Sequence, residues 1–342
     1  MSVTIKDIAK KAGVSHTTVS RALNGNPVIT EKTAAVIRGI AGELGYLPSA
    51  AARGLKTRRS GVLGVLVSRI DNPYFGEIIQ GIEDALSNSG YSIFIASSSL
   101  DPQKEKNIVQ AFSEHRVDGV IIGSVPVARS NITLLNKYNI PAVFINNQCA
   151  WNQKFSISHD DEFGARLVTH HLLDLGHRRI AYLGNARAPR INENRLRGFQ
   201  RELADAGLAP DERLISSQPG GEIEDGLAGM SSLLGSGCDF SAVFCFNDLM
   251  AVGALSMLQH KGLRVPADVS LAGFDNIPSS AYTYPPLTTF DQPKRSIGAE
   301  ATGMLLELIK SSTAPGSNHK PITKMMRGEL LTRESTAIYS KE

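Results

Sequence analysis

Apolar and polar positions change their period near residue 60. Across the first 45 residues, apolar side chains recur at helical spacing in three short runs, Ile5 to Ala12, His16 to Asn24 and Glu31 to Leu44. Thr4, Ser15 and Thr30 stand where N-caps belong, and Gly25 and Gly45 close the second and third runs. From Val62 onward, strand-like runs (VLGVLV, YSIFIA, DGVIIG, PAVFIN, RIAYLG, AVFCFN, VSLAGF) alternate with amphipathic helical ones. Such βα alternation predicts parallel sheets covered by helices on both faces. Seven strands of this strength exceed one comfortable sheet, so the body is expected to form two α/β lobes. The chain should cross between them near Ser158 to Glu162 and return near Asp291 to Pro293. A cleft between such lobes, at the carboxyl ends of the strands, is where an open α/β sheet binds its ligand.

Within the head, Ala9, Gly13 and Val19 fall at offsets that suit a helix-turn-helix. A small residue lets the helices approach, a glycine makes the turn, and an apolar residue packs the second helix back. Ser15, His16, Thr17, Ser20 and Arg21 then lie on or near the exposed side of that helix, where they can donate to or accept from base edges in a major groove. An ordinary three-helix bundle facing water is the alternative on these residues alone. Ser49 to Leu55 is Ala-rich and too brief to be a stable helix in isolation, and Lys56 to Gly61 reads as a linker.

Charge sharpens the division. Residues 1–60 carry ten basic side chains against three acidic ones, a net of +7, while the whole chain is formally +3, so the remainder is −4. A small basic module on a larger, mildly acidic body suits a polyanion-binding head on a separate functional domain. The 42% apolar and 20% charged composition is that of a soluble globular chain. No apolar run reaches the roughly 18 residues of a membrane span and the N-terminus lacks a secretory h-region, so no membrane partner is expected and the expected location is the cytoplasm. Cys149, Cys238 and Cys245 are odd in number with no C-x-x-C spacing, and a structural role is expected for each.

The run TIKDIAKKAGVSHTTVSRALNGNPVITEKTAAVIRGIAGELGYLPSAAARGLKTRRSGVLGVLV resembles, in order and almost without gaps, the head, hinge and first core strand of the LacI/GalR family of bacterial transcription regulators. The resemblance continues through NPYFGEIIQGIE, DDEFGARLVTHHLLDLGHRRIAYL, NRLRGFQREL, FNDLMAVGAL, LRVPADVSLAGFDN and LTTFDQP, which are similar to the family's body of the type I periplasmic-binding-protein fold. It implies a helix-turn-helix domain at 1–47, a hinge helix and linker at 48–60, and an effector-binding and dimerisation core at 61–342. Within the core, one lobe is expected at 61–159 plus 293–320 and the other at 160–292 plus 321–342.

The resemblance assigns base-reading or phosphate-contacting roles to Ser15, His16, Thr17, Ser20 and Arg21, with Asn24 beside the backbone. Leu55 becomes the hinge leucine that wedges into the minor groove, with Lys56 next to it. A wedge of this kind is worthwhile when the kink lets more protein contact the duplex. Ala50, Ala51 and Ala52 favour a helix that forms once DNA and a second subunit arrive. The implied protein is a repressor that binds a palindromic double-stranded operator as a homodimer and answers allosterically to a small-molecule effector.

In the body, the resemblance implies Tyr74 and Phe75 as ring contacts to the effector, Asp160 as a polar contact, Arg195 as a guanidinium fork, Asn247 and Asp275 as hydrogen-bonding partners, and Gln292 as a further contact. A planar Arg with Asp and Asn suits a sugar's hydroxyls, and an aromatic face suits its C–H side. On residue type alone, Asn247 is equally suited to cap the helix that follows, Asp275 to a turn, and Tyr74 and Phe75 to the core. Family members that bind purines use an aromatic residue in the region that here reads QPGGEIEDG, which has none, so a sugar or sugar derivative is expected. Arg69, Arg187 and Arg190, if they face the cleft, would favour an acidic one. Trp151 is either a cleft lid or packing.

Enzyme fingerprints are missing: the chain has no G-x-x-x-x-G-K-[ST], H-E-x-x-H, G-x-S-x-G, or G-x-G-x-x-G after its first strand. No enzyme activity, cofactor or metal is therefore expected, and His170, His171 and His177 are read as part of a helix and its following turn. The C-terminal ELLTRESTAIYSKE holds no sustained leucine heptads, so a dimer is expected rather than a tetramer.

Overall fold

The computed structural model describes residues 3–46, 59–123, 129–146, 155–311 and 320–340. The chain divides into two units, residues 1–60 and 61–342. In the first, α1 (Ile5–Ala12), α2 (His16–Leu23) and α3 (Glu31–Glu43) close over Ile8, Ala9, Val19, Ala22, Ala34, Ile37 and Ala41. Each start is held as its sequence suggests. Thr4 and Asp7 form a reciprocal capping box, the Ser15 hydroxyl accepts from the Thr18 N–H at 3.1 Å, and Thr30 accepts from the Thr33 N–H at 3.4 Å. Gly13 ends α1 at φ 65°, a left-handed conformation that a residue without Cβ adopts without strain.

The second unit contains two six-stranded sheets. The first has the order β11-β5-β4-β3-β1-β2, built from β1 (Val62–Val67), β2 (Ser92–Ser97), β3 (Gly119–Gly123), β4 (Ala142–Ile145), β5 (Phe155–His159) and β11 (Ile322–Met326). The second has the order β12-β10-β9-β8-β6-β7, built from β6 (Ile180–Asn185), β7 (Ile215–Gln218), β8 (Ala242–Cys245), β9 (Ser270–Asp275), β10 (Thr288–Asp291) and β12 (Glu329–Leu331). All pairings are parallel except β10 with β12. β3, β6, β8 and β9 are buried along their whole length, because helices cover both faces.

Helices α4 (Pro73–Leu86), α5 (Pro102–Glu114), α6 (Arg129–Lys137) and α11 (Lys294–Ser311) accompany the first sheet. The second carries α7 (Asp161–Asp174), α8 (Pro189–Asp205), α9 (Ile223–Gly235) and α10 (Asp248–His260). The α4–α11 crossing is close because Gly298 rests on the α4 backbone, where a Cβ would overlap the Ile78 carbonyl. The chain passes from the first lobe to the second between β5 and α7, returns between β10 and α11, and passes over a third time between β11 and β12.

One expected boundary is corrected. Residues 321–342 were expected in the second lobe, but β11 pairs with β5 in the first sheet, from Ile322 beside Phe155 to Met326 beside His159. The strand is exposed over most of its length, so its sequence lacks the apolar run that marks a sheet's interior. Beyond β12 the chain docks on the second lobe: the Ser335 hydroxyl donates to the Leu271 carbonyl at 2.5 Å and accepts from the Thr288 N–H at 2.8 Å. Among the described residues, no helix is long and apolar enough to cross a membrane.

Candidate functional site

The face of α2 opposite its buried Val19 and Ala22 presents His16, Thr17 and Arg21 to solvent, with Ser20 half-buried and Asn24 exposed at the helix end. Asn24 donates from Nδ2 to the Ser20 carbonyl at 2.6 Å. Ser15 is exposed, its hydroxyl engaged in the cap. Arg21 has no ion-pair partner among the described residues, and Lys11 ties α1 to α3 through Glu43 at 2.8 Å. Leu55, Lys56 and the rest of the expected hinge helix lie outside the described residues, as does Trp151.

In the body, a cavity of about 210 Å³ opens at the carboxyl ends of the strands of both sheets. Ser68 and Arg69 follow β1 and Leu100 follows β2, while Gly123 ends β3. Ile145 and Asn146 close β4, Asn185 ends β6, and Pro219 to Glu222 follow β7. Phe246 and Asn247 follow β8, Asp275 ends β9, and Gln292 follows β10. The rule for open α/β sheets is thus met in both sheets, with β5, β11 and β12 contributing no lining residue.

Six of the seven expected effector residues line this cavity: Tyr74, Phe75, Arg195, Asn247, Asp275 and Gln292. Asp160 does not. Its carboxylate accepts from the Phe163 N–H at 3.0 Å and caps α7, whereas Asp161, one residue on, is the carboxylate that meets Arg195. Two adjacent aspartates look alike in sequence, and the start of the helix decides which caps it and which turns inward.

Arg195 is 3% exposed and is gripped from three sides. Its Nε donates to Asp161 at 2.8 Å, another guanidinium nitrogen donates to the Phe246 carbonyl, and a third stands 3.7 Å from Asp275. The flat group lies 3.8 Å over the Phe274 ring and 4.5 Å from that of Phe246, so its faces are covered while its edges bond. Burial lowers the tendency of Arg195 to hold its charge, yet the facing Asp161 and Asp275 carboxylates outweigh this and raise its pKa. Asp161 moves the other way: burial resists its ionisation, but His159 and Arg195 hold its pKa below the ordinary value.

Asp275 has φ 117°, a left-handed conformation that disfavours a side chain, and the next residue Asn276 has φ 50°. Burial pushes the Asp275 carboxyl up to about 6 against the opposing pull of Arg195 and Lys294. Gln292 donates from Nε2 to Asp275 at 2.5 Å, and its buried Oε1 has no hydrogen-bond partner. Asn247 lines the cavity and also caps α10: its Oδ1 accepts from the Met250 N–H and its Nδ2 donates to the Gly221 carbonyl, both at 2.9 Å. Tyr74 and Phe75 likewise belong both to the cavity wall and to the first lobe's core, and the Tyr74 hydroxyl accepts from Asn146 at 2.6 Å.

Arg69 and Arg187 also line the cavity, whereas Arg190 does not. Arg69 is bidentate to Asp71 at 3.0 and 2.5 Å and reaches across to Glu222, on the second lobe, at 3.4 Å. Burial raises the Glu222 carboxyl above its ordinary pKa. Three guanidinium groups are therefore matched by three carboxyl groups, those of Glu222, Asp225 and Asp275. The floor is made by Gly220 and Gly221, and a Cβ on Gly221 would stand 2.6 Å from Asn185 Nδ2.

The histidines do not gather. His171 meets Thr336, His177 meets Ser241 and Ser270, and His170 meets Glu202, while no metal-holding cluster occurs among the described residues. Cys245 is buried, which raises its thiol pKa, and Cys238 is half-buried; neither is bonded to another cysteine. Asn72, Asn185, Phe246, Glu222 and Asp161 were missed as site residues. Asn185, Phe246 and Glu222 sit at or after strand ends, where that rule would have found them, whereas Asn72 is the cap of α4.

A helix-turn-helix head and a two-lobed body with a cavity at its strand ends define a DNA-binding regulator with its own ligand-binding domain. The comparisons agree. The model of bacterial regulatory proteins of the lacI family matches residues 4–49, and that of the periplasmic binding protein-like domain matches residues 169–336. The HTH-type transcriptional repressor PurR of Actinobacillus pleuropneumoniae serotype 3 (strain JL03) is 35% identical over 338 residues, 99% of each chain. A crystal structure of the lac repressor dimer bound to operator and the anti-inducer ONPF is similar at TM-score 0.84 and 28% identity, covering 98% of this chain and 100% of that one. A complex of the transcriptional regulator CelR with cellobiose is similar at TM-score 0.74 and 28% identity, covering 97% and 99%. The chain belongs to the lacI family of bacterial regulatory proteins. It is a DNA-binding transcriptional repressor with an effector-binding domain, and not an enzyme.

Proposed function

We propose that the protein binds a palindromic operator as a homodimer in the cytoplasm, and that a neutral sugar or sugar derivative in the body's cavity changes its affinity for that operator. The observation that carries the effector class is the cavity wall. It has equal numbers of guanidinium and carboxyl groups and several amides. A ligand rich in hydroxyls supplies both donors and acceptors to such a wall. The balance of charge argues for a neutral ligand over the acidic one that three arginines alone suggest. A purine is the second reading, favoured by the likeness to the PurR repressors. The Gly220–Gly221 stretch of the wall carries no ring, and the rings that do line the cavity, Tyr74, Phe75 and Phe246, suit the C–H face of a sugar as well as a base.

Ser15, His16, Thr17, Ser20, Arg21 and Asn24 would meet the operator, with Leu55 and Lys56 at the minor groove. Exposed apolar side chains support a dimer: Ile70, Phe94 and Ile95 on the first lobe, and Tyr282 and Tyr284, 88% and 87% exposed, on the second. Covering such surface with a second copy removes it from water. The effector class is tested by thermal unfolding with a panel of neutral mono- and disaccharides, sugar acids and purines. A ligand at a hundred times its Kd stabilises by about 2.7 kcal/mol. A shift confined to neutral sugars supports the reading, and one confined to purines or sugar acids refutes it.

A further inference from the structure

Lys294 is the first residue of α11, where the chain has just crossed back from the second lobe to the first. Two features of its placement are unfavourable by themselves. Its side chain is 1% exposed, and a cation in the first turn of a helix opposes the helix dipole. Five oxygens from three parts of the body compensate. The ammonium donates to the carbonyls of Asp275 at 2.5 Å and Asn276 at 3.2 Å, two residues with left-handed backbone of which Asp275 lines the cavity. It also reaches Asp291 at 3.1 Å and the Gln292 carbonyl at 3.4 Å on the crossing segment, and Glu77 of α4, in the first lobe, at 3.5 Å.

An ammonium has three hydrogens, so five oxygens within reach cannot all be served at once. A small movement of any one segment redistributes the bonds among the others. Two of the segments are the cavity wall itself, because Asp275 and Gln292 line it and are joined to each other by the bond from Gln292 Nε2 to the Asp275 carboxylate. We propose that Lys294 is the pivot through which the Asp275–Gln292 wall of the cavity sets the angle between the two lobes. It is a positioning residue that touches no ligand: Lys294 is absent from the cavity lining, and acts through the backbone carbonyls of residues that are present there. The inference rests on the effector reading for its purpose, but not for its geometry.

The test uses the full chain with spin labels at Glu83→Cys and Lys261→Cys, one exposed position on each lobe, in a Cys149→Ser, Cys238→Ser background diluted with unlabelled chain. Lys294→Met keeps the length of the side chain and removes its donors. Glu77→Gln weakens the cross-lobe contact and leaves the turn at Asp275 bonded, which keeps the test sound if Lys294→Met fails to fold. Without ligand, both variants are expected to broaden the lobe-to-lobe distance distribution, Lys294→Met by about twofold and Glu77→Gln by less, as a looser equilibrium of lobe angles would. Lys294→Arg, which retains donors and charge, is expected to restore much of the narrow distribution. Distributions as narrow as wild type in both folded variants would overturn the proposal. The same samples with the sugars and purines of the panel separate the two readings. Wild type and variants that close alike on one ligand would sink the pivot and keep the effector. Broadened variants beside a wild type that answers to no ligand would keep the pivot and sink the effector.

Discussion

Replacing Arg195 with methionine removes the group around which the second lobe's cavity wall is organised. The side chain is 3% exposed, and its loss leaves the Asp161 and Asp275 carboxyls facing no cation at that point, with Asp161 keeping His159 at 2.8 Å. Breaking a buried ion pair by deleting one partner costs about 3–5 kcal/mol, because the other charge stays buried. At roughly 2–4 °C per kcal/mol for a domain of this general size, the melting temperature of the body should fall by about 6–20 °C. The cavity should lose its effector as well, since the Asp275 carboxylate loses a partner that helps to hold it. The check is calorimetry on wild type, Arg195→Met, Asp161→Asn and the double variant at pH 7. A coupling energy of about 0.5–3 kcal/mol is expected between the two positions. A fall of less than a degree or two, or strictly additive effects, would refute the reasoning that Arg195 is held by, and holds, the buried carboxylates.

Three further outcomes follow from other parts of the molecule. The Asp248 carboxyl, buried and pushed up to about 7, holds a proton in the folded state that the unfolded chain releases near 3.8. Its contribution to stability is therefore lost as pH rises through that interval, and the melting temperature of Asp248→Asn relative to wild type should climb from pH 4 to pH 7 and then level off. A flat difference across that range would contradict the burial account. Gly253→Ala should destabilise by about 1–3 kcal/mol in urea unfolding, because a Cβ there overlaps the Ile223 carbonyl where α10 crosses α9. Arg21→Ala should weaken operator binding by about 1–3 kcal/mol and narrow the gap between operator and random duplex, read by fluorescence anisotropy. An equal loss on both duplexes would make Arg21 a phosphate contact instead.

Local signals carried the head almost entirely. Thr4, Ser15, Gly13 and Thr30 act within a few residues of themselves, and the three helices begin and end within a residue of where these caps place them. Strands buried on both faces were equally legible, because β1, β3, β4, β6, β8 and β9 are continuous apolar runs. Shorter strands such as β7 and β10, and the exposed edge strand β11, were not, since four residues or a polar face give no period to read. In the cavity, Arg195, Asp275 and Gln292 were reached through the family resemblance; Asp275 and Gln292 also stand at strand ends, whereas Arg195 lies within α8. The cage around Lys294 was hidden, because it joins Glu77, Asp275 and Asp291 across more than 200 positions of sequence. Asp160 was taken for its neighbour Asp161 because composition cannot tell a helix cap from the residue after it.

The central claim, that this head reads a defined operator and that the body's ligand governs the reading, is tested most directly by selection of the full chain on random-sequence duplexes, with and without the ligand found in the unfolding screen. The account predicts enrichment of one palindrome, affinity that falls steeply with salt, and a change in operator Kd when the ligand is added. Enrichment of no sequence at any salt concentration, or an operator affinity indifferent to saturating ligand, would contradict it.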